Sequence, residues 1–113
     1  MPSGYHGHYL RIDASSGCVD RVPLAEKVLR EFVGGSGLGA WLLLEESTSW
    51  SDPLDADAPL IFVFSPLVGS PLTTSAKFAV VSQSPLTDRI NDSLASSGFA
   101  LAGKRCGCDA IVI

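Results

Sequence analysis

Two apolar runs dominate the pattern, Leu60-Ile61-Phe62-Val63-Phe64 and Phe78-Ala79-Val80-Val81. Both are rich in β-branched and aromatic residues and both lead into a proline turn, so each reads as a strand. On the second strand, Ala76 to Gln83, alternation puts Phe78, Val80 and Ser82 on one side and Lys77, Ala79 and Val81 on the other. The turns repeat one tripeptide: Ser65-Pro66-Leu67, Ser70-Pro71-Leu72 and Ser84-Pro85-Leu86. Between the two strands lies a loop of small and hydroxyl residues, Val68 to Ser75.

Upstream, Tyr5 to Asp13 alternates as a strand, with Tyr9, Arg11 and Asp13 opposite Leu10 and Ile12. Ala14-Ser15-Ser16-Gly17 is a turn, and Cys18 to Val22 returns as the second strand of a hairpin. After Pro23, a helix starts at Leu24, with Ala25, Val28, Leu29 and Phe32 on one stripe. Gly34-Gly35 stops it. A second helix, Leu38 to Glu46, is apolar on nearly all sides through Trp41-Leu42-Leu43-Leu44 and is expected to be buried. Ser47 to Pro59 is a polar connector. Downstream, Arg89 to Leu94 is extended, and Ala95-Ser96-Ser97-Gly98 leads into a third helix with Phe99, Ala102 and Cys106 on its apolar face. Ser96 or Ser97 caps that helix, Lys104 and Arg105 complement its dipole, and Gly107 ends it. Asp109 to Ile113 is a last apolar strand, expected to stand as an open edge.

The expected fold is therefore α+β: a mainly antiparallel sheet with about three helices. A length of 113 residues allows one domain with one modest core. The chain is 46% hydrophobic with a net charge of −4 and no basic cluster, which argues against nucleic acid as a partner. No run of about twenty apolar residues suggests a membrane span. The first eight residues lack a signal core, and three cysteines imply reduced thiols in a cytoplasm.

Candidate chemistry is sparse. His6 and His8 could hold a metal, but no third ligand is visible nearby. Gly35-x-Gly37 begins a dinucleotide fingerprint, but a helix precedes it and the last glycine is misplaced. The glycines there read as a helix–helix corner allowing close approach, with an N-terminus that could face an anion. Cys106 and Cys108 have too few companions for a structural metal site and read as reduced thiols beside a helix end. A serine hydrolase is poorly supported, with both histidines near one end and no Gly-x-Ser-x-Gly elbow. Two features suit an anion. Lys77, the only charged residue between Leu60 and Thr87, either snorkels to solvent or meets a negative group. The Ser-Ser-Gly entry of the third helix exposes backbone N–H groups, or is simply a cap.

Taken in order, the segments resemble the N-terminal domain of the aldehyde ferredoxin oxidoreductase family. The resemblance is carried by Tyr9-Leu10-Arg11-Ile12-Asp13 with Ser16-Gly17, by Val33 to Leu43, and by Asp52-Pro53-Leu54. It continues in Ser65 to Gly69, Ser84-Pro85-Leu86-Thr87 and Gly107 to Val112. It implies half of a two-part β platform, residues 1–113, on which a tungsten- or molybdenum-bispterin cofactor rests. It also implies cofactor-binding residues: Lys77, reached through Thr73-Thr74-Ser75-Ala76, and the stretch Ala95-Ser96-Ser97-Gly98, which would meet the pterin phosphates and a bridging magnesium. Lys77 stands where the family commonly has Arg, and Ala95-Ser96-Ser97-Gly98 where it often has Asn-Ser-Gly-Gly. No catalytic or metal-ligating residue is expected here, and Cys18, Cys106 and Cys108 match none of the family's iron–sulfur cysteines. The implied function is a cofactor cradle without activity of its own, whose partners are the remaining domains of a larger oxidoreductase, with ferredoxin reached only through the whole enzyme. The alternative is a stand-alone homodimer that rebuilds the platform without redox activity, the open strand Asp109–Ile113 supplying the motive.

Overall fold

The computed structural model describes residues 4–46, 53–54, 58–72 and 75–113. Among them are six strands and three helices. A hairpin, β1 (His8–Asp13) and β2 (Cys18–Pro23), comes first, followed by α1 (Glu26–Phe32) and α2 (Gly35–Glu46). Then come β3 (Ile61–Phe64), β4 (Lys77–Gln83), β5 (Ile90–Ser96), α3 (Gly98–Arg105) and β6 (Ala110–Val112). One six-stranded sheet has the order β2-β1-β6-β3-β4-β5. Only β1 and β6 run parallel; every other neighbouring pair is antiparallel.

The alternation read from β1 and β4 is the alternation observed. Tyr9, Ile61, Val63, Ala79, Val81, Ala110 and Val112 form one face and pack against Leu29 of α1 and Leu38, Leu42 and Leu43 of α2. Each such side chain, once fully buried, contributes about 1.5–3 kcal/mol. The opposite face carries Phe64 and, partly buried, Leu10, Phe78 and Ile111, covered at one end by Ala100 and Leu101 of α3. The glycines at the start of α2 serve packing: a Cβ on Gly39 would lie 2.5 Å from a methyl of Val81. Gly34, at φ +59, turns the chain between α1 and α2 with no room for a side chain against the carbonyl of Phe64. Arg11 grips Glu46 through two nitrogens (Nη2 to Oε1 2.8 Å, Nε to Oε2 3.0 Å), and Tyr9 donates to the same carboxylate. The C-terminus of α2 is thereby tied to the sheet.

Four expectations need correction. The last strand is not an edge: β6 lies inside the sheet, between β1 and β3. Pairing along both edges fixes its place, and Ala110 and Val112 are buried on the face toward α1 and α2. The buried side of α3 is Ala100, Gly103 and Lys104, while Ala102 and Cys106 face solvent and Phe99 is 42% exposed. Ala100 and Gly103 let the helix approach the sheet closely, in place of the expected stripe of Phe99, Ala102 and Cys106. Ala25 is exposed and caps α1 from outside, leaving Val28, Leu29 and Phe32 as the inward residues. Finally, β5 runs from Ile90 to Ser96, two residues past the expected end of the extended segment at Leu94, which leaves Ser97 as the cap.

Candidate functional site

The end of β5 lies beside the start of β4. Lys77 stands opposite Ser96 in the strand register, and Phe78 opposite Ala95. One residue further, the amide of Ser97 donates to the carbonyl of Ala76 at 3.2 Å, so the chain entering α3 stays bonded to the chain entering β4. Lys77 Nζ donates to Ser96 Oγ at 3.1 Å. Ser97 is the α3 cap: its Oγ accepts from the amide of Phe99 at 3.2 Å. Before the strand, Ser75 Oγ donates to the carbonyl of Leu72 (2.9 Å), and the amide of Lys77 donates to the carbonyl of Ser75 (2.8 Å).

Ser75, Ala76, Lys77, Ala95, Ser96, Ser97 and Gly98 thus meet at one corner of the sheet; Thr73 and Thr74 lie outside the described residues. Lys77 is exposed and has no carboxylate partner among the described residues. Nothing lies within 4 Å of where a Cβ on Gly98 would point, so the backbone at the first turn of α3 is open. One ammonium, two hydroxyls and a helix N-terminus make a donor set that fits an oxyanion, and phosphate above all.

The other candidates are placed differently. The N-terminus of α2 meets the protein's own carboxylate, with Ser36 Oγ donating to Asp92 at 2.8 Å, which anchors β5 instead of a foreign anion. Arg21 donates to Nε2 of His8, and His6 lies ahead of β1, where its amide donates to Asp109. Cys108 is buried, donates to the carbonyl of Gly103, and has its thiol pushed up to about 11, chiefly by burial. Cys18 and Cys106 are exposed and free. Among the described residues, no three His, Cys, Asp or Glu side chains converge to hold a metal, and no helix is long and apolar enough to cross a membrane.

One polar cluster escaped the sequence reading. Asp109 is fully buried and pairs with the buried Lys104 at 3.1 Å. In the sequence Lys104 stands only as a complement to the helix dipole. The signal was a carboxylate set inside the apolar run Cys108 to Ile113.

Residues 9–113 match the family described as the aldehyde ferredoxin oxidoreductase N-terminal domain. The chain belongs to this family. Among the members of the aldehyde ferredoxin oxidoreductase family that it resembles is the tungsten-containing aldehyde ferredoxin oxidoreductase of Pyrococcus horikoshii. It is 34% identical over 112 residues, covering 97% of this chain and 18% of the relative. The WOR-like subunit of an aliphatic sulfonate oxidoreductase from Pyrococcus furiosus is 36% identical over 96% of this chain and 18% of its own. Among solved structures, the active site complex BamBC of benzoyl coenzyme A reductase, in complex with 1,5 dienoyl-CoA, superposes with a TM-score of 0.90. That likeness has 27% identity and covers 99% of this chain and 17% of the other. The chain therefore spans about a fifth of the length of these relatives, as a member of their N-terminal domain family.

Proposed function

We propose that this chain is the cofactor-bearing platform of a tungsten- or molybdenum-pterin oxidoreductase, forming half of its N-terminal domain. The observation that carries this reading is the corner where Lys77 Nζ meets Ser96 and the Ser97 amide is bonded to Ala76. Two candidate anion-binding elements from separate parts of the chain lie side by side there, at the edge of the sheet. Lys77 supplies a point charge for a pterin phosphate, Ser96 a hydroxyl, and the first turn of α3 the amide of Gly98 and its positive dipole end, the amides of Ser97, Phe99 and Ala100 being bonded within the protein. Ser75 and Ala76 set the approach of Lys77. Ala95 and Gly98 keep the surface low, so that a flat ligand can lie against the backbone. A magnesium ion bound with the phosphates would be held, on the protein side, by the hydroxyls of Ser96 and Ser97. The cofactor supplies the two-electron chemistry, and cluster ligands, substrate contacts and any electron transfer to ferredoxin come from the remaining domains. Free thiols on the surface suit a reducing cytoplasm.

The test is metal and pterin content in the assembled protein. Lys77→Ala should lower both well below the wild-type stoichiometry without lowering the melting temperature, since the side chain is exposed. Unchanged content would overturn the assignment of Lys77.

A second reading, the stand-alone homodimer, loses its original motive because β6 is paired on both sides. It retains one observation in its favour. The sheet face beyond α3 leaves an entirely apolar groove lined by Ile12, Phe62, Phe78, Phe99, Ile111 and Ile113. A second copy seated there would cover it.

A further inference from the structure

Helix α3 is short. Eight residues span about 12 Å, and so short a helix holds its place only through packing. Gly103 sits so close to the Cζ end of the Phe64 ring that an added Cβ would lie 2.2 Å from it, which sets the distance between helix and sheet. The N-terminal end is held by the backbone bond from Ser97 to Ala76 and by the Phe99 ring against Phe62, Phe64 and Phe78. The other end is held by Lys104.

The partner of Lys104 is immobile. Asp109 Oδ1 accepts from the amide of His6 (2.9 Å) and from Lys104 Nζ (3.1 Å), while Oδ2 accepts from the amide of Gly7 (2.8 Å). The backbone of Asp109 donates to the carbonyl of His8 and accepts from the amide of Phe64, which fixes it to β1 and β3. The ammonium also sits 5.7 Å from the centroid of the Tyr5 ring. Such a buried pair is a poor source of net stability, because desolvation offsets most of the attraction. What it supplies is a fixed geometry between helix and sheet.

We infer that Lys104 and Asp109 are positioning residues for the anion corner. Their ion pair fixes α3 along its axis, so that the first turn, some two helical turns away, stays beside Lys77. The inference rests on the anion-site reading above.

The experiment titrates inorganic phosphate into the protein and follows the amide resonances of Gly98 and Phe99. Wild type should show saturable shifts, and Lys77→Ala should lose them. The double variant K104M/D109N, which removes both charges, should bind phosphate about five- to tenfold more weakly, the scale of coupling carried by packed elements. Lys104→Arg should keep most of the affinity. Leu42→Ala, on the opposite face of the sheet, serves as the stability control: it should melt earlier but bind phosphate as wild type does. Should K104M/D109N not fold, Lys104→Gln is held to the same criterion. Unchanged phosphate affinity in the charge-removing variant, or an equal loss in Leu42→Ala, overturns the positioning role and leaves the anion site standing. Absence of phosphate shifts in wild type overturns both.

Discussion

At Gly103 a single hydrogen decides how α3 sits. The Phe64 ring is fully buried beneath it, so a methyl at position 103 must move either the ring or the helix. Gly103→Ala should destabilise the protein by about 1–3 kcal/mol, the usual cost of overpacking a filled core. Urea unfolding measures it, and an unshifted midpoint would mean that Phe64 yields freely. Tyr9 shows a different single-residue control. Its hydroxyl is pushed up to about 12, first by burial and then by the hydrogen bond to Glu46. A raised folded value favours the protonated form. Its stabilising contribution is therefore complete below the unfolded value of 10.0 and is lost as the pH climbs through about 12. Cys108 acts in the same sense from 9.0 to about 11. Stability should thus fall across the pH range from 9 to 12, and Tyr9→Phe should flatten the upper part of that fall in pH-dependent melting curves. Neither residue announced its role in the sequence. Gly103 stood in a helix whose apolar face was misjudged, and Tyr9 was simply one side of an alternating strand.

Among the elements, β5 and β6 are opposites. β5 is exposed at every residue, lies at one edge of the sheet, and is held from outside by the bond between Ser36 and Asp92. β6 has only three residues but pairs with β1 and β3 and contributes the buried Ala110 and Val112. Hydrogen exchange should therefore be slowest in β6 and β3 and fastest at the outward amides of β5. Equal protection in β5 would show that something covers that edge in solution. Strand identity was readable from alternation in β1 and β4 and from the apolar run in β3. Strand order was not, because it depends on partners distant in sequence. The α3 face failed for a related reason. Ala100 and Gly103 look like neutral helix filler until a ring is placed beneath them. The bulky Phe99 rests at the rim, its ring 5.0 Å from that of Phe78 and 5.6 Å from that of Phe62.

For the molecule as a whole, the sheet is covered on one face by α1 and α2 and on the other only partly, by α3. If the bare groove around Phe62 and Ile111 binds a second copy, light scattering at micromolar concentration should give twice the mass of 11.9 kDa. A monomer under those conditions sinks the homodimer. The sequence by itself determined the class of fold, the hairpin, the helices, the strand faces and the family, because periodicity and short motifs are local properties that survive without coordinates. It also singled out Lys77 and Ser96–Gly98, each ordinary taken alone, and through the family resemblance expected both to meet one anion. Only the tertiary structure decided how they are paired, with Lys77 opposite Ser96, that β6 lies mid-sheet, and that Lys104 is buried against Asp109. Those outcomes depend on which distant segments pair, and pairing is governed by the packing of the whole sheet rather than by any stretch of it.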